Sequence, residues 1–278
     1  MTLSFPLVPT TQDYTVTVQT TSLLGNLLYE NTRRTAFRKQ PLQKTADGWL
    51  YSVSVLDFKQ TETNGVAQLD ADTAQLRSHL LIETDAAGGL LRVCNKAELR
   101  NQWQALEPKL LKKYRRSEQI TPGMVAGIGQ VLHGDGYLED VLRRGYEYSS
   151  LFPPFYGQSY DEQPTQGRPR TIARFLGNLD LPLQTEIKRQ AQVPADVAVG
   201  LAVEGKVDME AYQEEAARQA LRTMTDQYDL DTTLRSQHRE SYEFDHQEAL
   251  LHAAQFTIYG VQGVFMNKTL CMLQPAGS

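Results

Sequence analysis

The alternation of apolar and polar positions in the first sixty residues predicts strands. In "YTVTVQT", Tyr14, Val16 and Val18 fall on one side and Thr15, Thr17 and Gln19 on the other, the period of two expected of a half-buried strand. "NLLYENTRRTAFRK" continues with polar side chains outward. After a turn at Asp47-Gly48, "WLYSVSVLDFKQTE" alternates through Tyr51, Val53 and Val55, then changes phase to Leu56 and Phe58. A phase change inside a strand predicts a bulge or a bent sheet. The three runs read as an antiparallel meander.

The period then lengthens. Asp70 or Asp72 is placed to cap a short helix in "LDADTAQLRSHL". Asp85-Ala86-Ala87-Gly88-Gly89 separates two apolar runs and predicts a hairpin turn. Asn95 and Glu98 have capping-box spacing ahead of a stripe at Leu99, Trp103, Leu106, Leu110 and Tyr114, a helix that Pro108 is expected to kink or split. Thr121-Pro122 opens another helix carrying Met124, Val125, Ile128, Val131 and Leu132. Gly134 and Gly136 interrupt it, and residues 137–146 resume as a third helical piece.

Farther on, "RTIARFLGNL", "LQTEIKRQAQV" and "DVAVGLAVEG" read as strands. Asp208 is positioned to cap a helix with Met209, Tyr212, Ala216, Ala220 and Met224 on one face, and the chain closes with three more strands. Each half contains a hairpin whose first strand ends in aspartate, "LLIETDAAGGLLRVC" and "SYEFDHQEALLHAAQFTI", a pattern that fits an internal duplication. The fold class that follows is α+β: two curved antiparallel β-sheets with helices clustered in the middle of the chain. The segments are an N-terminal β-meander and hairpin at 1–95, a helical segment at 96–148, an aromatic and proline linker at 149–170, and a C-terminal antiparallel sheet with one helix at 171–278. A single domain containing all four also fits. In architecture, curved sheets wrapping a helix resemble the half-barrel of bacterial lipoprotein carriers.

The linker stands apart from these periods. "SSLFPPFYGQSYDEQ" strings aromatic rings around Pro153 and Pro154, which stiffen the chain and donate no backbone hydrogen bond. Long connections of this kind are functional or tightly packed. Phe152, Phe155, Tyr156 and Tyr160 are therefore the candidate partner-binding residues, weighed against packing between the two halves and against a small-molecule pocket.

Composition narrows the classes. The chain has 278 residues, 41% hydrophobic and 22% charged, enough to bury a core without disulfides. Its formal charge of -5 argues against a dedicated nucleic-acid binder. Cys94 and Cys271 lie in apolar patterns and read as buried free thiols. "MTLSFPLVPTTQD" lacks the basic start of a secretory leader, and the longest apolar run, Val197 to Val203, is too short to span a bilayer. A cytoplasmic protein without a transmembrane segment is expected.

Candidate chemistry is sparse. "HGDG", His133 to Gly136, resembles the His-Gly-x-Gly oxyanion element of some lipases and esterases, and Gly157 precedes Ser159 at the spacing of half a nucleophile elbow. Asp161 replaces the elbow's second glycine and no strand precedes Ser159, so a glycine-rich helix break is the simpler reading. His238, His246 and His252 gather near one hairpin without zinc-ligand spacing. "LDADT" and "YDLDTT" lack the glycine and terminal glutamate of a calcium loop. "GMVAGIG" lacks phosphate-loop spacing, and its glycines suit close helix packing. "KLLKKYRR" places positive charge where a helix ends. No catalytic residue, metal site or cofactor is assigned. The reading is a non-enzymatic protein-binding or assembly protein whose partner is another protein. The alternatives are a carrier of an apolar small molecule or lipid between a curved sheet and the central helices, and a hydrolase with an unrecognised site. Oligomeric state is not legible.

Overall fold

The computed structural model describes residues 2–6, 9–225 and 231–277, and "YDLDTT" lies partly outside them. The first strands are β1 (Thr2–Leu3), β2 (Gln12–Leu24), β3 (Leu27–Lys44) and β4 (Trp49–Gln60), followed by helix α1 (Gly65–Thr73) and a 3-10 turn at Ala74–Arg77. Then come β5 (His79–Thr84), β6 (Leu90–Val93) and helices α2 (Lys96–Tyr114), α3 (Pro122–His133), α4 (Tyr137–Arg144) and α5 (Tyr146–Leu151). The remainder is β7 (Gln158–Ser159), β8 (Thr165–Gln166), β9 (Arg170–Leu176), β10 (Leu179–Arg189), β11 (Val199–Val207), α6 (Glu214–Thr225), β12 (Leu234–Phe244), β13 (Leu250–Val261) and β14 (Phe265–Pro275).

Among the described residues the chain is mostly antiparallel sheet with helices. Twelve strands join in the open order β6-β5-β4-β3-β2-β14-β13-β12-β11-β10-β8, with β9 also on β10, while β1 and β7 form a separate ribbon. One large sheet thus stands where the pattern predicts two. The reason is β2, which has β3 on one edge and β14 on the other, so the N- and C-terminal strands share one ladder. Pattern reading finds strands but not the partners of their edges.

The chain divides into two compact units. Unit 1 takes Met1–Pro6, Val18–Asn31 and Gln158–Leu273; unit 2 takes Leu7–Thr17, Thr32–Gly157 and Gln274–Ser278.

In unit 2 the phase change of β4 is a bulge. Ala36 faces Asp57 and Phe37 faces Val55, leaving Leu56 as the extra residue. The Asp85 turn closes β5 and β6: its carboxylate accepts from the Ala87 and Gly89 amides, and Gly88 takes φ +87°. Thr121 Oγ1 accepts from the Met124 amide to cap α3, as its spacing predicts. Gly129 packs on Trp103, where a Cβ would sit 2.7 Å from the indole nitrogen.

Other expectations are corrected. The first helix begins at Gly65, because Asp70 is drawn into ion pairs with Arg33 and Arg77, and Asp72 binds Lys113 and Tyr114. Asn95 takes the N-cap position of α2 and its side-chain amide donates to Glu98 Oε2 at 3.2 Å, but its side-chain oxygen caps no helix amide and accepts instead from the Leu81 amide. Pro108 neither splits nor ends α2, which runs through it to Tyr114. Cys94 is exposed, since it follows the last residue of β6, whereas Cys271 is buried.

In unit 1, β10 buries Leu181, Leu183, Thr185 and Ile187 at a period of two. Phe175, Leu181, Leu183, Leu221, Val261 and Phe265 meet in one core cluster. Helix α6 buries Ala217 and Leu221, one turn apart, in it; of the predicted face Tyr212 and Ala220 pack against the cluster, whereas Met209 and Met224 are exposed. The helix starts at Glu214, five residues after the expected Met209. The Asp208 carboxylate accepts from the Glu210 and Ala211 amides, a tight turn that uses the cap before a helix begins.

Candidate functional site

Two turns meet in unit 1. The β2–β3 turn is Gly25-Asn26, with Gly25 at φ +55°, and the β13–β14 turn holds Gly263 at φ +77°. Gly25 N–H donates to Val264 O at 2.9 Å, and Val264 N–H donates to Val261 O at 3.0 Å. Gly260 is required by close approach, since a Cβ there would lie 2.3 Å from Phe265 O.

Beside these turns lies a pocket of about 590 Å³ with mainly apolar walls, among them Leu23, Ile258, Val264 and Met266, and with Arg235 and Gln237 at its polar side. The sheet register produces this arrangement. Gln237 pairs with Ile258, which pairs with Lys268; Arg239 pairs with Phe256, which pairs with Leu270. Lys268 Nζ lies 6.0 Å from the Phe256 ring centre. One face of β12–β14 thus carries an apolar strip bordered by cations.

The opposite face of the same strands is a closed polar network. His238 bonds Thr257 Oγ1 and Glu240 Oε1, both at 2.8 Å, through its two ring nitrogens. Glu240 Oε2 accepts from Arg170 and from the Tyr242 hydroxyl, each at 2.7 Å, and Gln255 donates to Tyr242 Oη at 2.9 Å. Burial would raise the Glu240 pKa, but the Arg170 charge and the His238 hydrogen bond outweigh it and hold the carboxyl well below the usual range. Burial and the neighbouring Glu240 push the Tyr242 hydroxyl well up. With the Glu240 side chain 1% exposed and both its oxygens partnered, this network braces the sheet instead of meeting a solute.

The four aromatic candidates lie inside the fold. Phe152 is 3% exposed and meets Tyr51 edge-on at 5.8 Å. Lys39 Nζ sits 4.4 Å from the Phe152 ring centre and 4.8 Å from that of Tyr51, and donates to Leu151 O at 2.7 Å. Enclosure of this amine pushes its pKa down to about 7, although the residue as a whole is only half-buried. Tyr156 N–H donates to Ala87 O, and its ring fills the space over Gly88, where a Cβ would lie 2.5 Å from it. Phe155 is buried, as is Tyr160, whose hydroxyl donates to Gln158. The structure does not bring these rings together on a surface.

The remaining candidates are also placed. His133 ends α3 with Nδ1 2.8 Å from Gly129 O, and Gly136 at φ +75° precedes α4, so "HGDG" is a break between helices. Ser159 Oγ pairs with Thr2 Oγ1 at 2.6 Å in the β1–β7 ribbon. His252 meets Glu243 at 3.1 Å and His246 meets Ala195 O at 3.4 Å, while His238 faces the buried network. Among the described residues no group of three or more His, Cys, Asp or Glu is arranged to hold a metal ion. No helix among them is long and apolar enough to cross a membrane.

What pattern reading missed is the β2–β3 tip. Residues 24–30 are all exposed, with Leu27 at 73% and Leu28 at 62%. The available signal was the pairing of Leu23-Leu24 with Leu27-Leu28 across Gly25-Asn26, which puts apolar side chains on both faces of one hairpin.

No family model matches the sequence, and no curated protein matches it. In fold the chain is similar to a solved structure of lipovitellin concerned with that protein's lipid–protein interactions, with a TM-score of 0.52, 10% identity and 96% of this chain covered. The match spans 25% of the lipovitellin chain, and the likeness is one of fold alone.

Proposed function

We propose that unit 1 binds an apolar small molecule or lipid in the pocket beside the two turns. The observation that carries this reading is the pocket itself. Its volume of about 590 Å³ lies within the roughly 300–1,000 Å³ of small-molecule sites. Leu23, Ile258, Val264 and Met266 offer an apolar guest burial from water, while Arg235 and Gln237 offer an anionic or polar head a partner. The fold likeness to lipovitellin, a protein whose structure was described for its lipid contacts, supports the same reading. The pocket belongs to unit 1, whereas a carrier site against the central helices would draw on α2–α5 of unit 2.

The test is fluorescence of Nile red with purified protein, followed by displacement with oleate. Wild type is expected to bind and release the dye, and Ile258→Asp, on the open face of β13, to weaken oleate by about tenfold or more while its thermal unfolding is unchanged. Absence of binding, or equal binding by the variant, overturns the proposal. The exposed leucines also favour a second reading, an assembly surface for another protein. Its sign is a stable partner captured by wild type and lost on tip substitution, with no dye binding.

A further inference from the structure

The β2–β3 hairpin runs beyond its neighbour. Strand β4 pairs with β3 only from Arg33 onward, so residues 27–31 project past it. Alternation places Leu27 and Tyr29 on one face of the projecting strand and Leu28 on the other. A protein partner covering one face would leave the other wet, whereas a lipid layer surrounds both.

The order of residues from the tip matches the layers of a bilayer surface. At about 3.3 Å per residue, Leu27 and Leu28 lie within roughly 7 Å of the turn, Tyr29 at about 10 Å and Glu30 at about 13 Å. Interfacial segments sink about 5–10 Å, which immerses the leucines, leaves Tyr29 at the headgroups where its ring and hydroxyl are both satisfied, and keeps Glu30 out. Glu30 is the one charge in residues 23–31. The adjoining β13–β14 turn, tied on by the Gly25–Val264 bond, is flanked by exposed Arg235, which pairs with Gly260, and exposed Lys268, which pairs with Ile258.

We infer that this paired turn docks on an anionic phospholipid surface, its leucines inserted and its cations on the headgroups. The inference goes beyond the pocket reading and does not need the pocket to be filled.

The experiment is co-sedimentation with phosphatidylcholine vesicles made with and without phosphatidylglycerol, at low and high salt. Wild type is expected to sediment with the anionic vesicles and less so in high salt. Leu27→Asp combined with Leu28→Asp is expected to lower the partition by at least about tenfold. It keeps the wild-type circular dichroism melt, because both residues are exposed. Leu28→Trp is expected to gain a blue-shifted emission, quenched by brominated acyl chains. Failure of wild type to bind any vesicle overturns the inference, as does binding unaltered by the double variant. A concentration-dependent dimer abolished by that variant also overturns it, by assigning the tip to a second copy. Retained dye binding in the double variant, with Ile258→Asp showing the reverse pattern, separates this inference from the pocket reading.

Discussion

The two units treat their apolar segments in opposite ways. Unit 2 folds Phe152, Phe155 and Tyr156 inward, so that Phe152 meets Tyr51 edge-on and Tyr156 occupies the space above Gly88. Unit 1 leaves Leu24, Leu27, Leu28 and Tyr29 in solvent and instead buries Glu240, His238 and Tyr242 beneath its sheet. Hydrophobicity along the chain is therefore a poor guide to which segment is a surface. What decides is whether another part of the chain returns to cover it. The Phe152 run follows a helix and meets β4 and the β5–β6 turn, whereas the leucine tip outruns β4.

Substitutions sharpen this contrast. The largest effect is expected from Phe152→Ala, which removes a ring packed on Tyr51 and under Lys39 and should cost about 3–5 kcal/mol in a denaturant titration. A wild-type midpoint would place the ring at a surface. Glu240→Ala should cost about 3–5 kcal/mol in unit 1, because the half-buried Arg170 and the buried Tyr242 hydroxyl both lose their acceptor.

The same site sets an acid response. The folded Glu240 carboxyl titrates well below an unfolded one, so its contribution is complete above the ordinary carboxylate pKa of about 4.3 and is lost as pH falls below it. Acid unfolding followed by circular dichroism should become shallower in Glu240→Gln.

Twin turns compare the units at finer scale. Asp85 and Asp245 each accept from the amides two and four residues on, and the residue before the last takes positive φ, Gly88 at +87° and Glu248 at +62°. Gly88→Ala should cost about 2 kcal/mol or more, since it adds strain and drives a methyl into Tyr156. Glu248→Gly should gain about 0.5 kcal/mol, the relief of left-handed strain set against added chain entropy and the lost Ser4 contact. Thermal melts distinguish the two signs. The smallest effect belongs to the double aspartate variant at Leu27 and Leu28, expected to alter stability by no more than about 0.5 kcal/mol.

Local chemistry was legible where local chemistry decides. The Leu56 bulge, the Asp85 turn, the Thr121 cap and the final three strands all follow from spacing and turn residues. Tertiary competition hid the rest. Asp70 and Asp72 resemble caps until arginine and lysine from distant positions claim them, and Asp208 closes a turn instead of opening a helix. The pocket depends on Gly25 reaching Val264 across 239 positions of sequence, and no period within either strand encodes that contact.

The central claim, an apolar guest in the unit 1 pocket, is met most directly by native mass spectrometry of the protein titrated with a long-chain fatty acid. Wild type should form a one-to-one complex that Met266→Asp, a pocket-wall variant, does not form. The account is contradicted if wild type stays bare under these conditions, or if the variant binds equally well.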